Sequence, residues 1–139
     1  MSDRTPVQDA ARVVGVVFLA VGALGFVPGV TTDLYQGLAF AGDGSESELL
    51  GLFRVSVLHN VVHLLFGVAG LALAATVSGA RTYLVGGGAL YGVLWLLGIG
   101  GGIEWLPANR ADHWLHLALG LAMVGAGFAL TRARPTAAG

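Results

Sequence analysis

Four long stretches of the chain carry no charged side chain. They contain 20, 26, 22 and 19 residues and begin after Arg12, Arg54, Arg81 and Asp112. Each is close to the roughly 20 residues that an α-helix needs to cross the hydrocarbon core of a bilayer, where charged side chains are costly. The pattern therefore predicts an all-α fold, an integral membrane four-helix bundle.

The predicted single transmembrane domain, 1–139, has an outer loop at 31–49 and spans at about 12–30, 50–76, 82–102 and 111–131. The first stretch could instead be a secretory signal, because it follows two arginines at the amino end. Its apolar run is longer than the core of a typical signal, and no cleavage site of small residues precedes Asp33. We therefore take it as the first span.

The arginines are distributed unequally between the two sides that these spans define. Arg110 falls on one side, with Arg54 at its boundary, and the other side holds Arg4, Arg12, Arg81, Arg132 and Arg134. Arginine and lysine accumulate in cytoplasmic segments, so the larger group predicts that both termini are cytoplasmic. The acidic residues that then lie outside are Asp33, Asp43, Glu46, Glu48, Glu104 and Asp112.

The composition agrees with a bilayer as the solvent. Hydrophobic residues make up 55% of the chain and charged residues 11%, against roughly 25% charged residues in soluble domains. The 23 glycines lie mainly within apolar runs, where small residues let membrane helices approach closely. The absence of cysteine excludes disulfides, thiolate metal sites and cysteine nucleophiles, and a net charge of −1 offers no basic surface for nucleic acid.

Two segments of the chain resemble each other. HLLFG at 63–67 aligns with HLALG at 116–120, and the spans that precede them end in similar exits at Pro28 and Pro107. Each half would be a hairpin that enters from the cytoplasm, so the bundle would contain two pseudo-repeated hairpins related by an axis along the membrane normal. Glycine-rich helices also resemble each other by composition alone, and the sequence leaves both explanations open.

All four histidines lie in two pairs near the outer ends of the second and fourth spans. Each pair belongs to a polar helical face, and the two faces consist of Ser56, His59, Asn60 and His63 and of Asp112, His113 and His116. Polar side chains within membrane spans normally face the interior of the bundle. We therefore expect the two faces to meet, and we expect no titratable side chain deeper in the bundle.

A metal or haem site is one interpretation of this polar cluster. Neutral imidazoles ligate zinc, copper and iron, and two facing helices can supply ligands from both sides. His63 and His116 are the candidate cofactor ligands, and His59, His63 and His116 are the candidate metal ligands. Without cysteine, haem would be held non-covalently.

Two other interpretations remain. In one, the histidines pass protons or bind a small molecule together with Asp112 or Glu104. In the other, the imidazoles only hydrogen-bond across the helix interfaces and hold the helices in register, together with Ser56, Asn60, Asp112 and His113. No residue is assigned a catalytic role, because the spans contain no nucleophile with a base and no pair of carboxylates.

The long connection at 31–49 is expected to lie at the outer interface of the membrane. Ser45 or Ser47 is expected to cap a helix that begins near Glu46. Arg54 would then lie about one turn inside the second span, where it would extend outward or pair with an acid.

Longer motifs resemble a known family. They are VSVLHNVVHLLFGVAGLALA at 55–74, PGVTTDLYQGLAFAG at 28–42 and NRADHWLHLALGLAM at 109–123. They are similar to the small four-span bacterial membrane proteins grouped as domain of unknown function 4383. The resemblance implies a plasma-membrane protein of a family found largely in actinobacteria. His113 stands where the family usually has asparagine, whereas the pattern matches at His59, Asn60, His63, Asp112, Trp114 and His116.

The sequence thus predicts a small integral membrane protein that acts as a structural or interaction module with a polar cluster in the outer leaflet. Binding of a metal or haem is the first alternative, and handling of protons or a small molecule is the second. The expected partners are the lipid bilayer and, through the glycine faces, a second copy of the chain or another membrane protein.

Overall fold

The computed structural model describes residues 4–42, 44–101 and 108–132, and the chain is mostly helical. The elements within these ranges are α1 (Pro6–Leu24), α2 (Leu34–Gly37), β1 (Glu48–Leu49), β2 (Phe53–Arg54), α3 (Val57–Leu73), α4 (Val77–Ile99) and α5 (Arg110–Arg132). The predictions that concern Asp43, Glu104, Pro107 and Arg134 lie outside the described residues.

Both ends of α1 have their free backbone groups satisfied. Thr5 and Gln8 form a capping box, in which the Thr5 backbone N–H donates to Gln8 Oε1 at 3.1 Å, and Pro6 takes the first helical position. At the other end, the hydroxyl of buried Thr31 donates to the Leu24 carbonyl at 2.9 Å. α1 begins at Pro6, whereas the first span was predicted to begin at about residue 12. The polar residues of this first part are helical although they would not lie in hydrocarbon.

The connection between α1 and α3, residues 25–42 and 44–56, folds into a cap at one end of the bundle, which we call the outer cap after its expected position. Within it, β1 and β2 form an antiparallel hairpin in which Glu48 is opposite Arg54. The buried Ser45 hydroxyl donates to the Val55 carbonyl at 2.5 Å, and the Ser47 hydroxyl donates to the Asp33 carbonyl at 3.0 Å. Both hydroxyls therefore hold the cap together.

The prediction of a helix near Glu46 capped by Ser45 or Ser47 is wrong. The serine hydroxyls bond to carbonyls within the outer cap, and the chain stays extended through β2, so Arg54 lies on a strand. α3 begins only at Val57, where Ser56 is the N-cap and accepts a hydrogen bond from the His59 backbone N–H at 3.1 Å.

The long helices pack as two close pairs, α1 with α3 and α4 with α5. Glycines make the close approach possible in both pairs. A Cβ atom on Gly67 would lie 2.7 Å from the carbonyl oxygen of Gly15, and a Cβ atom on Gly88 would lie 2.7 Å from the carbonyl oxygen of Gly120. Each pair thus has a central contact of backbone on backbone, of the kind that small residues permit between membrane helices.

The two helix pairs share one register. A shift of 73 positions takes Gly15 of α1 to Gly88 of α4, and a shift of 53 takes Gly67 of α3 to Gly120 of α5. The same shift of 73 relates Phe18 to Tyr91, and both of these residues are buried. The chain therefore repeats its helix contacts and not only its composition.

The repeat differs in one respect from the one expected. His63 and His116 are equivalent, as expected, but pairing the exits at Pro28 and Pro107 would require a shift of 79 between α1 and α4. Pro28 lies beyond the end of α1, in a connection whose length is free to vary, whereas the glycine contacts fix the register of the helices.

Three of the described helices, α1, α4 and α5, are long and apolar enough to cross a membrane. α3 is also apolar but has 17 residues. The outer surfaces of all four carry exposed large hydrophobic side chains such as Val16, Leu65, Leu96 and Leu121, as is required of a protein surrounded by lipid.

Candidate functional site

Three of the predicted histidines meet around one tyrosine. His59 Nε2 and His63 Nε2 are 3.0 Å apart, and the Tyr91 hydroxyl lies 3.2 Å from His63 Nε2. The Tyr91 ring also packs edge-on against His116, with ring centroids 5.1 Å apart. We call His59, His63, Tyr91 and His116 the imidazole cluster.

Local sequence explains how the cluster is assembled. The Ser56 cap fixes the first turn of α3, and this places His59 and His63 four residues apart on one face. α4 supplies Tyr91, and α5 supplies His116. Phe18 of α1 packs edge-on against His63 with ring centroids 5.3 Å apart, which repeats the contact of Tyr91 with His116 in the other half. Each half thus places one aromatic ring against its own histidine.

The hydrogen bonds inside the cluster leave polar atoms unpaired. The Nδ1 atoms of His59 and His63 are buried and have no partner among the described residues. In neutral rings, one Nε2 must donate to the other. The Nδ1 of the donor ring is then a bare acceptor, and the Nδ1 of the acceptor ring carries a hydrogen. Either arrangement leaves one buried donor and one buried acceptor, and an unmade hydrogen bond in such a place costs roughly 1–3 kcal/mol.

Two cavities flank the cluster, and all four of its side chains line both. One, of about 190 Å³, lies at the gap between α3 and α4 and is lined by apolar residues such as Val62 and Leu94. The other, of about 120 Å³, lies between α1 and α5 beneath the β1–β2 hairpin and is lined by residues such as Val21 and Leu115. We call them the α3–α4 cavity and the α1–α5 cavity.

The two cavities are equivalent under the internal repeat. The shifts that relate the helices take Val62 to Leu115 and Val21 to Leu94. They also take His59 to Asp112, so the two cavities differ at this polar position.

One carboxylate oxygen of Asp112 is bonded to the backbone around it. Its Oδ2 accepts from the backbone N–H groups of Arg54 (3.1 Å) and Asn109 (2.8 Å), while Asn109 Oδ1 accepts from the Asp112 N–H at 3.1 Å. The Asn109 amide also donates to the Leu52 carbonyl at 2.7 Å. These bonds cap α5 and fasten the hairpin to it, so Asp112 holds the structure together at this point.

Two other predicted residues lie away from the cluster. Asn60 is completely buried against α1, and a Cβ atom on Gly25 would collide with its amide group. Neither atom of that amide has a partner among the described residues. His113 packs in the same way against Gly98 at the far end of α4. Asn60 and His113 are related by the shift of 53, so they occupy equivalent helix contacts.

The three candidate metal ligands lie around one site. The Nε2 atoms of His59 and His63 face each other at hydrogen-bond distance. Within the ranges that the structure describes, no group of three or more histidines, acids or cysteines is arranged so that it could hold a metal ion.

Tyr91 is the site residue that sequence reasoning missed, and the expectation that nothing titratable lies deeper is wrong. Tyr91 and Tyr83 are both buried in α4, and Tyr83 lies against Gly70 at the opposite end of the bundle from the histidines. Hydropathy scales rank tyrosine close to the apolar residues. The two tyrosine hydroxyls were therefore not recognised as polar groups within the glycine-rich third span. Their spacing of eight residues, which puts both on one helical face, was the available signal.

Comparison with known proteins identifies the family. No curated protein and no solved structure matches the chain significantly. A family match covers residues 8–129, which include all of the imidazole cluster, both cavities and the outer cap. The chain therefore belongs to the family described as Domain of unknown function (DUF4383).

Proposed function

We propose that the chain is a four-span protein of the plasma membrane with both termini in the cytoplasm, and that its imidazole cluster binds a small neutral molecule in the outer half of the bilayer. The membrane assignment is supported by three helices of sufficient length and by the apolar surface around the bundle. The orientation is supported by the excess of arginine on the side where the chain begins and ends.

The fourth span of this proposal is α3. Its 17 residues rise about 26 Å, near the lower limit of what crosses a bilayer core. α3 packs along α1, which supplies a neighbour for its glycine face, and Gln8 Nε2 donates at 3.1 Å to the carbonyls of both Ala74 and Ala75 just past its end. A short apolar helix with its last carbonyls satisfied is compatible with a membrane environment.

The observation that carries the binding proposal is the α3–α4 cavity, whose otherwise apolar wall includes three histidines and Tyr91. If the histidines served only to hold the helices in register, their ring nitrogens would be bonded to neighbouring helices. Instead, His59 and His63 bond mainly to each other, although Tyr91 also reaches His63. A few polar side chains grouped on the wall of an otherwise apolar cavity are the usual arrangement of a small-molecule site.

A variant that fills the cavity tests this proposal. Leu94 lines the α3–α4 cavity, whereas Leu97, one turn further along α4, does not line it and is exposed. We expect protein purified in mild detergent to retain a small molecule in near-stoichiometric amount, detected by solvent extraction and mass spectrometry. Leu94→Trp should lose this molecule and Leu97→Trp should keep it.

Two results would contradict the proposal. One is wild-type protein that retains nothing beyond the lipids also found with Leu94→Trp. The other is an optical spectrum or metal analysis of the same sample that reveals haem or a bound transition metal lost on substitution of His63 or His116. The second result would establish the metal or haem alternative instead.

A further inference from the structure

The tip of the β1–β2 hairpin, residues 50–52, consists of two leucines on either side of one glycine. Hairpin turns are normally built from glycine and polar residues, because they project into water. Here the uncharged run extends over 49–53, and the hairpin carries charge only at its base, where Glu48 is opposite Arg54. The hairpin thus changes from charged at its base to apolar at its tip.

The leucine side chains of the tip are not buried by the rest of the described chain. Leu50 is 65% exposed and Leu52 is 56% exposed. Leu50 also has a backbone φ of 55°, in the left-handed region that glycine and asparagine adopt readily and leucine does not. A turn that faced water would favour asparagine at this position. A leucine there is favourable only if its side chain leaves water for an apolar surrounding.

The backbone of the tip meets the main condition for contact with lipid, which is that polar groups are satisfied within the protein. The N–H groups of all three tip residues donate to carbonyls of the outer cap. The distances are 2.8 Å for Leu50, 3.3 Å for Gly51 and 3.1 Å for Leu52. The tip therefore has no free backbone donor that would need water.

Side chains at the start of α5 cover the free edge of β2. The Asp112 carboxylate accepts from the Arg54 N–H at 3.1 Å, and the Asn109 amide donates to the Leu52 carbonyl at 2.7 Å. An open strand edge is not tolerated in lipid, whereas an edge whose groups are bonded to side chains avoids that cost. The contacts that hold the hairpin to α5 thus also prepare it for an apolar surrounding.

Contacts with the long helices place the tip near the outer boundary of the bilayer core. Leu50 lines the α1–α5 cavity together with Val21 and Leu115, so the tip lies at the gap between α1 and α5. The 23 residues of α5 rise about 35 Å, roughly one turn more than the 30 Å core. The first turn of α5, to which the hairpin is bonded, therefore lies at this boundary. Trp114 in the next turn is 63% exposed, as is usual for tryptophan at a membrane interface.

Two carbonyl groups limit how deeply the tip can enter. The carbonyls of Leu50 and Gly51 accept no hydrogen bond from the residues that the structure describes. In the hydrocarbon they would stay without a donor, whereas water between the lipid head groups can bond to them. The tip therefore fits the boundary between head groups and acyl chains.

We infer that the hairpin tip inserts into the outer leaflet at this boundary, so that Leu50 and Leu52 contact phospholipid and not water. Insertion of the tip rests on the four-span arrangement proposed above, and it is independent of what the imidazole cluster binds. The lipid-facing surface of the bundle then continues from α5 onto the outer cap.

Spin labels on single cysteines test the insertion in protein reconstituted into phosphatidylcholine vesicles. The labelled positions are Leu52, Leu121 in the middle of α5, and Gly44, which is exposed in the polar part of the outer cap. Collisions of each label are measured with oxygen, which concentrates in lipid, and with a water-soluble nickel complex. We expect Leu52→Cys to give an oxygen-to-nickel ratio several-fold above that of Gly44→Cys and below that of Leu121→Cys.

Removing the acceptor at the edge of β2 should expel the tip from lipid. Asp112→Ala leaves the Arg54 N–H without its acceptor, so the ratio at Leu52→Cys should fall to that of Gly44→Cys. Asp9→Ala removes an exposed acid at the other end of α1 and should leave the ratio unchanged. A ratio that is equally high in both backgrounds would contradict the covering of this edge by Asp112.

The three labels distinguish failure of the insertion from failure of the proposed membrane arrangement. If the Leu52 label collides with nickel as often as the Gly44 label while the Leu121 label lies in lipid, the tip is in water and only the insertion is wrong. A Leu52 label shielded from both reagents would show that protein, such as a second copy of the chain, covers the tip instead of lipid. If the Leu121 label also lies in water, the four-span arrangement is wrong and the insertion with it.

Discussion

At the scale of single residues, one pair of equivalent positions in the two halves makes different contacts. His59 and Asp112 are related by the internal shift and both are buried near a helix start. The Asp112 carboxylate accepts from two backbone N–H groups and holds the hairpin to α5. His59 instead bonds to its neighbour His63, and its Nδ1 has no partner in the part of the chain that the structure describes. The two equivalent positions therefore make different contacts: Asp112 joins the hairpin to α5, and His59 belongs to the imidazole cluster.

Replacing Asp112 should therefore release the hairpin. Asp112→Ala leaves the N–H groups of Arg54 and Asn109 without their acceptor, and we expect a loss of about 2–4 kcal/mol in the free energy of unfolding. The peptide bond after Arg54 should also become more sensitive to trypsin. Thermal unfolding in detergent and limited proteolysis measure the two effects.

Asp9 provides the matched control for this change. It is exposed and forms an ion pair with Arg4 at 3.1 Å, an interaction that contributes about 0–1 kcal/mol. Asp9→Ala should leave both the unfolding temperature and the trypsin pattern close to those of the wild type. An equal effect of the two alanine variants would show that the Asp112 bonds do not hold the hairpin.

The sequence predicted part of the site at this scale. Helical periodicity placed His59 and His63 on one face of α3, because residues four positions apart share a helix face. That His116 of α5 faces them was an expectation from the rule that polar side chains face the interior of a bundle. Periodicity could not show that Asn60 lies apart from the imidazole cluster. Asn60 is next to His59 in the sequence, but its side chain packs against Gly25 at the end of α1. Tyr91 was missed because its ring reads as apolar, and only the packing of α4 against the other helices shows where its hydroxyl points.

At the scale of elements, close contact within each helix pair depends on a few glycines and not on glycine content in general. The run Gly86, Gly87 and Gly88 illustrates the distinction. A Cβ atom on Gly88 would meet the backbone of α5, one on Gly87 would meet Phe66 of α3, and one on Gly86 would meet nothing within 4 Å. Three adjacent glycines thus have three different environments.

Alanine substitutions within this run should have opposite effects. Gly88→Ala places a methyl group 2.7 Å from the Gly120 carbonyl oxygen, so the α4–α5 pair must separate, at a cost of about 1–3 kcal/mol. Gly86→Ala removes a flexible glycine from a helix without a clash and should be neutral or stabilise by up to about 1 kcal/mol. Unfolding temperatures in detergent would compare them, and similar destabilisation by both would contradict the close α4–α5 contact.

The sequence located the helices better than their ends. Charge-free stretches predicted four apolar helices, and all four are present, because the cost of charge in hydrocarbon acts over whole spans. The start of α3 was misplaced because its first turn depends on contacts distant in sequence. Residues 48–54 pair as a hairpin that is held by Asp112 and Asn109 of α5, and no local pattern around Glu46 reveals this.

At the scale of the whole molecule, the proposed orientation puts the outer cap outside the cell and the chain ends inside. The natural absence of cysteine makes this simple to test with single-cysteine variants. Gly44 is exposed in the outer cap, and a Cβ atom there would meet no atom of the described residues within 4 Å. On intact cells, a membrane-impermeant maleimide should label Gly44→Cys and should label Thr136→Cys only after the cells are permeabilised.

The reverse labelling pattern would place the termini outside and would move the imidazole cluster to the cytoplasmic half of the bilayer. Labelling of both positions on intact cells would mean an odd number of spans, and α3 would be the first helix to reconsider, since it is the shortest of the four. The cysteine-free parent chain is the control for labelling at other sites.

The constant register shared by the two helix pairs has the form expected from duplication and fusion of an ancestral two-helix gene. Before fusion, two identical hairpins would have paired about a twofold axis and formed two identical cavities, each with the same side chain at the positions now occupied by His59 and Asp112. Joining them in one chain removed the requirement for identity. One position could then come to join the outer cap to α5, while the equivalent position carries a histidine that pairs with His63.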